Sequence, residues 1–286
     1  MVRMTYFRVL AATLPMLNAC ATWAVEQKVG FEIGIAPFLP VKTLVQNYAP
    51  LRDYLQNRLN EPVTIVSAPD YKTYYKCIQK HEYPIIIAAA NSAYLAWSES
   101  AYIPLLKPLI YTRPVVVISK DKTLIKLTDL RGKTVAMSDI LAIVSMQGLQ
   151  MLRAAGLKPE HDVTIRNMQN HSAAVNYVIT GAVAAAIVSD RAIMQMPASI
   201  REKIKIAYTW DKAAAPGIVY MGSPDMPRDR LELIGKAIYE FARDTPEGVE
   251  MMKNMGYGGL TPMSAEELQP LAPYGLMLKE AMAKTP

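Results

Sequence analysis

Hydrophobic residues alternate with others at Val29, Phe31, Ile33 and Ile35, a period of two that predicts a β-strand with a buried face. A turn bracketed by prolines follows, Pro37-Phe38-Leu39-Pro40. Leu44, Val45, Tyr48, Leu51, Leu55 and Leu59 then recur at three- and four-residue steps, which places them on one face of an amphipathic helix. Val63 to Val66 predicts a second strand, Tyr71 to Lys80 a helix and Ile85 to Ile87 a third strand, with Asn91 and Ser92 opening the next helix. Such alternation predicts βαβ units and a largely parallel sheet.

The middle of the chain repeats the theme. Val115 to Ser119, Val135 to Met137, Val163 to Arg166, Ala184 to Val188, Lys205 to Tyr208 and Ile218 to Met221 read as strands. Leu127 and Leu130 form a short helical turn closed by Gly132. Helices are predicted from Ser145 to Ala155, stopped by Gly156, and from Ala173 to Thr180. Beyond Gly222 the pattern is helical, over 228–243, 246–254 and the segments after Ser264 and Pro273. A chain of 286 residues exceeds what one core usually holds. The element order therefore predicts two α/β lobes, one from residues 27–113 and 221–286, the other from 114–220. The chain crosses near Tyr111 to Pro114 and returns near Gly217 to Gly222, with a ligand cleft between the lobes at the carboxyl ends of strands.

The first 24 residues change the compartment. Arg3 and Arg8 precede or flank an apolar run, Val9 to Ala21, that is too short to span a bilayer and suits a signal peptide. Cleavage after Ala24 is one exit. Lipidation at Cys20 is the other, since Leu17-Asn18-Ala19-Cys20 approximates a lipobox and departs from it at Asn18. Either way Cys77 is left alone, so no internal disulfide forms and the fold rests on its core. The 31 basic residues less Arg3 and Arg8 leave 29 against 25 acidic, near +4 for a mature chain. Those charges are mixed in sign rather than massed, which argues against a nucleic-acid surface.

Enzyme signatures fail one by one. Gly132-Lys133-Thr134 imitates the end of a phosphate-binding loop, but Leu127 stands where that loop needs its first glycine. No Gly-x-Ser-x-Gly elbow is present. His81, His161 and His171 are the only histidines, and none has a second ligand at zinc spacing. A binding protein without catalytic role, cofactor or metal is the expectation.

Five stretches carry a family resemblance: Tyr48-Ala49-Pro50-Leu51 with Asp53-Tyr54-Leu55 and Pro62-Val63; Asp70-Tyr71; Ile118 to Asp121 with Leu127 to Lys133; Leu152 to Gly156 with Lys158-Pro159 and Asn170 to Val175; and Gly181 to Ala185 with Ser189-Asp190. In order and spacing they resemble the phosphate, phosphite and phosphonate-binding family of periplasmic solute-binding proteins. The resemblance implies the two-lobed type II periplasmic-binding-protein fold and delivery of a small molecule to an ABC-transporter permease or other inner-membrane partner. The chain is expected to act as a monomer in the periplasm. In that family a Ser-Thr-Ser run at a helix N-terminus grips the anion, through hydroxyls, free N–H groups and the positive dipole end. The matching stretch here is Ala142-Ile143-Val144, or one that includes Ser145 if the register slips. Ala90 stands at the family's aromatic position after the third strand and Ile218 at its aspartate, while Tyr71 and His171 match.

The expected site is therefore Phe38, Tyr71, Ala90, Asn91, Ile143, Val144, Ser145, His171, Asp190 and Ile218. Several have plainer readings: Asn91, Ser92, His171 and Asp190 as helix caps, Ile143 and Val144 as core. A dianion set against Ile143, Val144 and Ile218 loses hydration without replacement hydrogen bonds, at a cost of roughly several kcal/mol. The residues thus favour a neutral, largely apolar, lipid-like ligand over a phosphonate, phosphite or phosphate. A sensory binding module for a membrane kinase, and an exported enzyme, are the competing classes.

Overall fold

The computed structural model describes residues 30–159, 161–213 and 215–284. The expected signal segment and Cys20 lie outside them. In chain order the elements are β1 (Phe31–Ile35), α1 (Val41–Leu59), β2 (Val63–Ser67), α2 (Tyr71–Gln79), β3 (Ile85–Ala88), α3 (Ala90–Ser100) and β4 (Ile103–Pro108). Then come β5 (Pro114–Ser119), a 3-10 turn (Leu127–Leu130), β6 (Thr134–Met137), α4 (Ile143–Ala154), β7 (Thr164–Asn167), α5 (His171–Ile179), β8 (Ala185–Ser189), α6 (Asp190–Met194), α7 (Ala198–Arg201) and β9 (Ile204–Thr209). A 3-10 turn (Asp211–Ala213), β10 (Val219–Gly222), α8 (Arg228–Asp244), α9 (Pro246–Met255), β11 (Leu260–Pro262), a 3-10 turn (Glu266–Leu271) and α10 (Ala272–Lys284) complete the chain.

The strands form two sheets, ordered β11-β4-β10-β3-β1-β2 and β7-β6-β8-β5-β9. All of the second sheet comes from one stretch, and the first is interrupted by it. β10 pairs with β3 and β4, so the boundary expected after residue 220 falls inside a strand of the first sheet. The sheets are mixed rather than largely parallel. β1 with β2 and β3, and β6 with β7 and β8, are parallel βαβ pairs. Strands on either side of a lobe crossing, β4, β5, β9 and β10, enter from the opposite end and pair antiparallel.

Period-two patterning decides the cores. In the second sheet Val115, Val117, Ala136, Ala186 and Val188 face a core continuous with the first lobe. Their neighbours Val116, Ile118, Val135, Met137, Ala185 and Ile187 face a separate core closed by Leu130, Met151 and Leu152. In the first lobe α1 buries Leu44, Tyr48, Leu51 and Leu55, and α8 buries Leu231, Ile234, Ile238 and Phe241. Gly34 sits under the Tyr83 ring; a Cβ there would lie 2.5 Å from its carbons. Cys77 is a free, half-buried thiol packed against this core, its pKa raised by burial. No helix among the described residues is long and apolar enough to cross a membrane.

At the crossing, Thr112 and Ala215 form an isolated antiparallel bridge between the two connecting segments. Gly217 follows Pro216 there and packs against Thr112; a Cβ on Gly217 would lie 2.1 Å from the threonine hydroxyl.

Candidate functional site

Five helices begin at one place. Tyr71 is the first residue of α2, Ala89 the N-cap of α3, Ala142 the N-cap of α4, His171 the first residue of α5 and Ser189 the N-cap of α6. Between them lies a cavity of about 30 Å³. Phe38, Tyr71, Ala89 and Tyr257 line it from the first lobe, Ala142, Ile143, Val144, His171, Ser189 and Ala192 from the second, and Thr112, Gly217 and Ile218 from the crossing segments. It is far smaller than the roughly 300–1,000 Å³ of pockets that hold drug-sized molecules.

The lobes are shut around it. The His171 N–H donates to the Phe38 carbonyl at 3.2 Å. Asn91 Nδ2 donates to the Leu141 carbonyl at 2.8 Å, and Gln169 Nε2 to the Pro69 carbonyl at 3.0 Å. Gln195 joins both lobes: its carbonyl accepts from Asn47 Nδ2 and its Nε2 donates to Tyr257 Oη, each at 3.4 Å.

Electrostatically the walls are uncharged. No lysine or arginine lines the cavity. His171 is fully buried, and desolvation lowers its pKa from 6.5 to about 3, so the imidazole is neutral at physiological pH. Burial raises the phenols of Tyr71 and Tyr257 well above their usual range. Two polar atoms of the lining, Thr112 Oγ1 and His171 Nδ1, are buried with no hydrogen-bond partner. The N–H groups of Ile143 and Val144, at the first positions of α4, have no intrahelical acceptor, and Ala142 supplies no side-chain cap. No group of three or more His, Cys, Asp or Glu residues that could hold a metal ion occurs among the described residues.

The structure brings Phe38, Tyr71, Ile143, Val144, His171 and Ile218 together on the cavity. Ala90, Asn91, Ser145 and Asp190 are not among its lining residues. Ala90 is fully buried one position beyond Ala89, which faces the cavity in its place. Asn91 is spent on the inter-lobe bond to Leu141, and its Oδ1 accepts from the Ser92 N–H at 2.9 Å. Ser145 Oγ lies 3.0 Å from Ser138 Oγ and 3.1 Å from the Ser138 carbonyl, closing the turn between β6 and α4. Asp190 accepts from the backbone N–H groups of Arg113 and Arg191 and pairs with both guanidinium groups. The caps fall elsewhere as well: Asn170, not His171, caps α5, and Ser189, not Asp190, caps α6.

Thr112, Ala192 and Tyr257 carried no distinguishing sequence signal; Ser189 stood only among the stretches of family resemblance, and Gly217 only at the return crossing, where Pro216-Gly217 marks a turn. A shut cavity of about 30 Å³ lends no support to the lipid-like end of the expected ligand range. Before α4, Asp139 accepts from the Leu141 N–H at 2.8 Å; its pKa is raised by burial and then by Asp70 from the other lobe, while backbone donors oppose the shift.

The sequence model of the family described as ABC transporter, phosphonate, periplasmic substrate-binding protein matches residues 33–268. Among solved structures the chain is similar to PhnD1 from Prochlorococcus marinus (MIT 9301) in complex with methylphosphonate. The identity is 11%, over 88% of this chain and 98% of that one, with a TM-score of 0.75. A binding protein component of an ABC phosphonate transporter from Pseudomonas aeruginosa matches at 12% identity, 89% and 96% coverage and TM-score 0.73. The aliphatic sulphonate binding protein SsuA from Escherichia coli matches at 14% identity, 89% and 93% coverage and TM-score 0.60. At these identities the likeness is one of fold. No curated protein matches the chain in sequence.

Proposed function

Because the chain belongs to the phosphonate-binding family of periplasmic ABC-transporter substrate-binding proteins, we propose that it captures a small uncharged molecule between its lobes and hands it to a permease. Export through residues 1–24, anchoring at Cys20 or release after Ala24, and action as a monomer belong to the same proposal. The observation that carries it is the absence of any cationic side chain from the cavity wall, together with a histidine held neutral. The hydroxyl run that grips an anion in relatives is Ala142-Ile143-Val144 here, and these three side chains offer no donor. Burying a dianion against them costs hydration that the wall does not replace, whereas an uncharged ligand gains about 25 cal/mol for each Å² of apolar surface it buries.

One observation favours a second reading. Five helix N-termini face the cavity, and that of α4 is uncapped, an arrangement that supports an anion without a countercharge. A phosphonate, phosphite or phosphate is the ligand on that reading. Native mass spectrometry of the exported chain, with extraction of whatever it carries, identifies the cargo. Calorimetric titration with methylphosphonate, phosphite and phosphate then separates the readings. Binding at micromolar concentration or below overturns the uncharged ligand, and its absence supports it.

A further inference from the structure

Thr112 is held where the two connecting segments meet. Its backbone N–H donates to the Ala215 carbonyl at 2.8 Å and its carbonyl accepts from the Ala215 N–H at 3.2 Å, so both connecting segments hold it. It lies on neither lobe but on the crossing between them. Its Oγ1 is buried, lines the cavity and has no partner. A buried hydroxyl left unsatisfied costs about 1–3 kcal/mol, a cost usually offset by a partner that arrives with the ligand or water. Gly217 faces it with no side chain; a Cβ at 217 would stand 2.1 Å from Oγ1 and 3.0 Å from the Thr112 Cβ. The missing side chain at 217 keeps the hydroxyl open to the cavity.

We propose that Thr112 is a fixed specificity anchor: its hydroxyl hydrogen-bonds an oxygen of the ligand in both the open and the shut form, and the lobes then close on a molecule already oriented. This rests on the uncharged-ligand reading and deepens it by naming the ligand's polar group. The groups of the lining that can donate are the Thr112 hydroxyl, the Tyr71 hydroxyl, one ring nitrogen of neutral His171 and the first N–H groups of α4, and those N–H groups, which cannot accept, tip the balance toward donation. Donor excess without charge selects a small neutral molecule with a strong oxygen acceptor, such as a carbonyl, sulfoxide, sulfone or phosphoryl ester. Apolar contact with Ile143, Val144 and Ile218 suits its alkyl groups.

The test uses the full chain, dialysed free of cargo, with dimethyl sulfone as the neutral acceptor probe and methylphosphonate as the anionic one, both followed by ligand-observed NMR titration. Wild type is expected to bind dimethyl sulfone, Thr112→Val to bind it about 3- to 10-fold more weakly, and Thr112→Ser to recover most of the loss. Because the anchor acts before closure, the factor lost with Thr112→Val is expected to be the same when Asn91→Ala has weakened the inter-lobe contact. Equal sulfone affinity for wild type and Thr112→Val overturns the anchor and leaves the uncharged ligand standing. Binding of methylphosphonate without binding of the sulfone overturns the uncharged ligand. An unchanged methylphosphonate affinity in Thr112→Val would then overturn the anchor too, and failure of wild type to bind either probe overturns both.

Discussion

Thr112 and Ala215 exchange both of their backbone hydrogen bonds, at 2.8 and 3.2 Å, where the chain passes between its two sheets. Pro at position 215 removes one donor and leaves the Thr112 carbonyl short of a partner in a buried setting. Ala215→Pro is expected to cost about 1–3 kcal/mol. For a chain of this size that lowers the thermal midpoint by roughly several degrees, read by circular dichroism.

Acid is expected to undo the neutral burial of His171. Its pKa is about 3 in the folded protein against 6.5 for the free group. Between those values the unfolded chain binds the extra proton, so stability is complete above about pH 6.5 and falls with pH toward about 3. The slope from this one group approaches roughly 1.4 kcal/mol per pH unit. Urea midpoints taken across that range in wild type and His171→Gln check it: the difference between the two curves should narrow as the pH drops. Parallel curves would refute a neutral, buried imidazole.

Asp139 works in the opposite sense. Burial, and then Asp70 from the other lobe, raise its pKa in the shut form, so the ionised carboxylate is disfavoured there. The penalty for keeping Asp139 ionised is present above the raised value and disappears as pH falls through it. Asp139→Asn, which keeps an oxygen for the Leu141 N–H, is expected to raise the thermal midpoint at neutral pH. That gain should vanish in acid. A gain that persists unchanged at low pH would argue against the carboxylate pair.

The amide of Asn91 reaches across the lobes to the Leu141 carbonyl at 2.8 Å, and Asn91 is fully buried. Asn91→Ala leaves that carbonyl unpaired and costs the shut form about 1–3 kcal/mol. Small-angle scattering should show a larger radius of gyration than wild type, and restoration of the compact value by cargo would tie the contact to closure.

The sequence was legible wherever one face decides burial. Strand β1 and helix α1 announce themselves through Ile33 and Ile35 and through Leu44, Tyr48, Leu51 and Leu55, because period and burial coincide there. Strand β4 did not: Pro104 and Pro108 interrupt it, and only β10 and β11 beside it make an extended segment there a strand. Its antiparallel sense was hidden too, since the crossing that reverses it is a tertiary event. In the site, Tyr71, His171, Ile143, Val144 and Ile218 could be placed by resemblance, whereas Thr112 and Tyr257 come from connections whose path no local pattern fixes. Ser145 and Asp190 look like ligand groups from sequence, but hydrogen bonds from their own turns and neighbours occupy them.

The uninterrupted second sheet makes that lobe a unit of exchange. It enters at Pro114 and leaves at Trp210, whose N–H donates to the Pro114 carbonyl at 3.1 Å. Two chain ends so close can be spliced into a relative's crossing with little loop-closure entropy. A single transplanted cassette would replace Ile143, Val144, His171 and Ser189 together and leave Phe38, Tyr71 and Thr112 in place. Recombination could therefore respecify half of the binding wall in one step without disturbing the half that meets it.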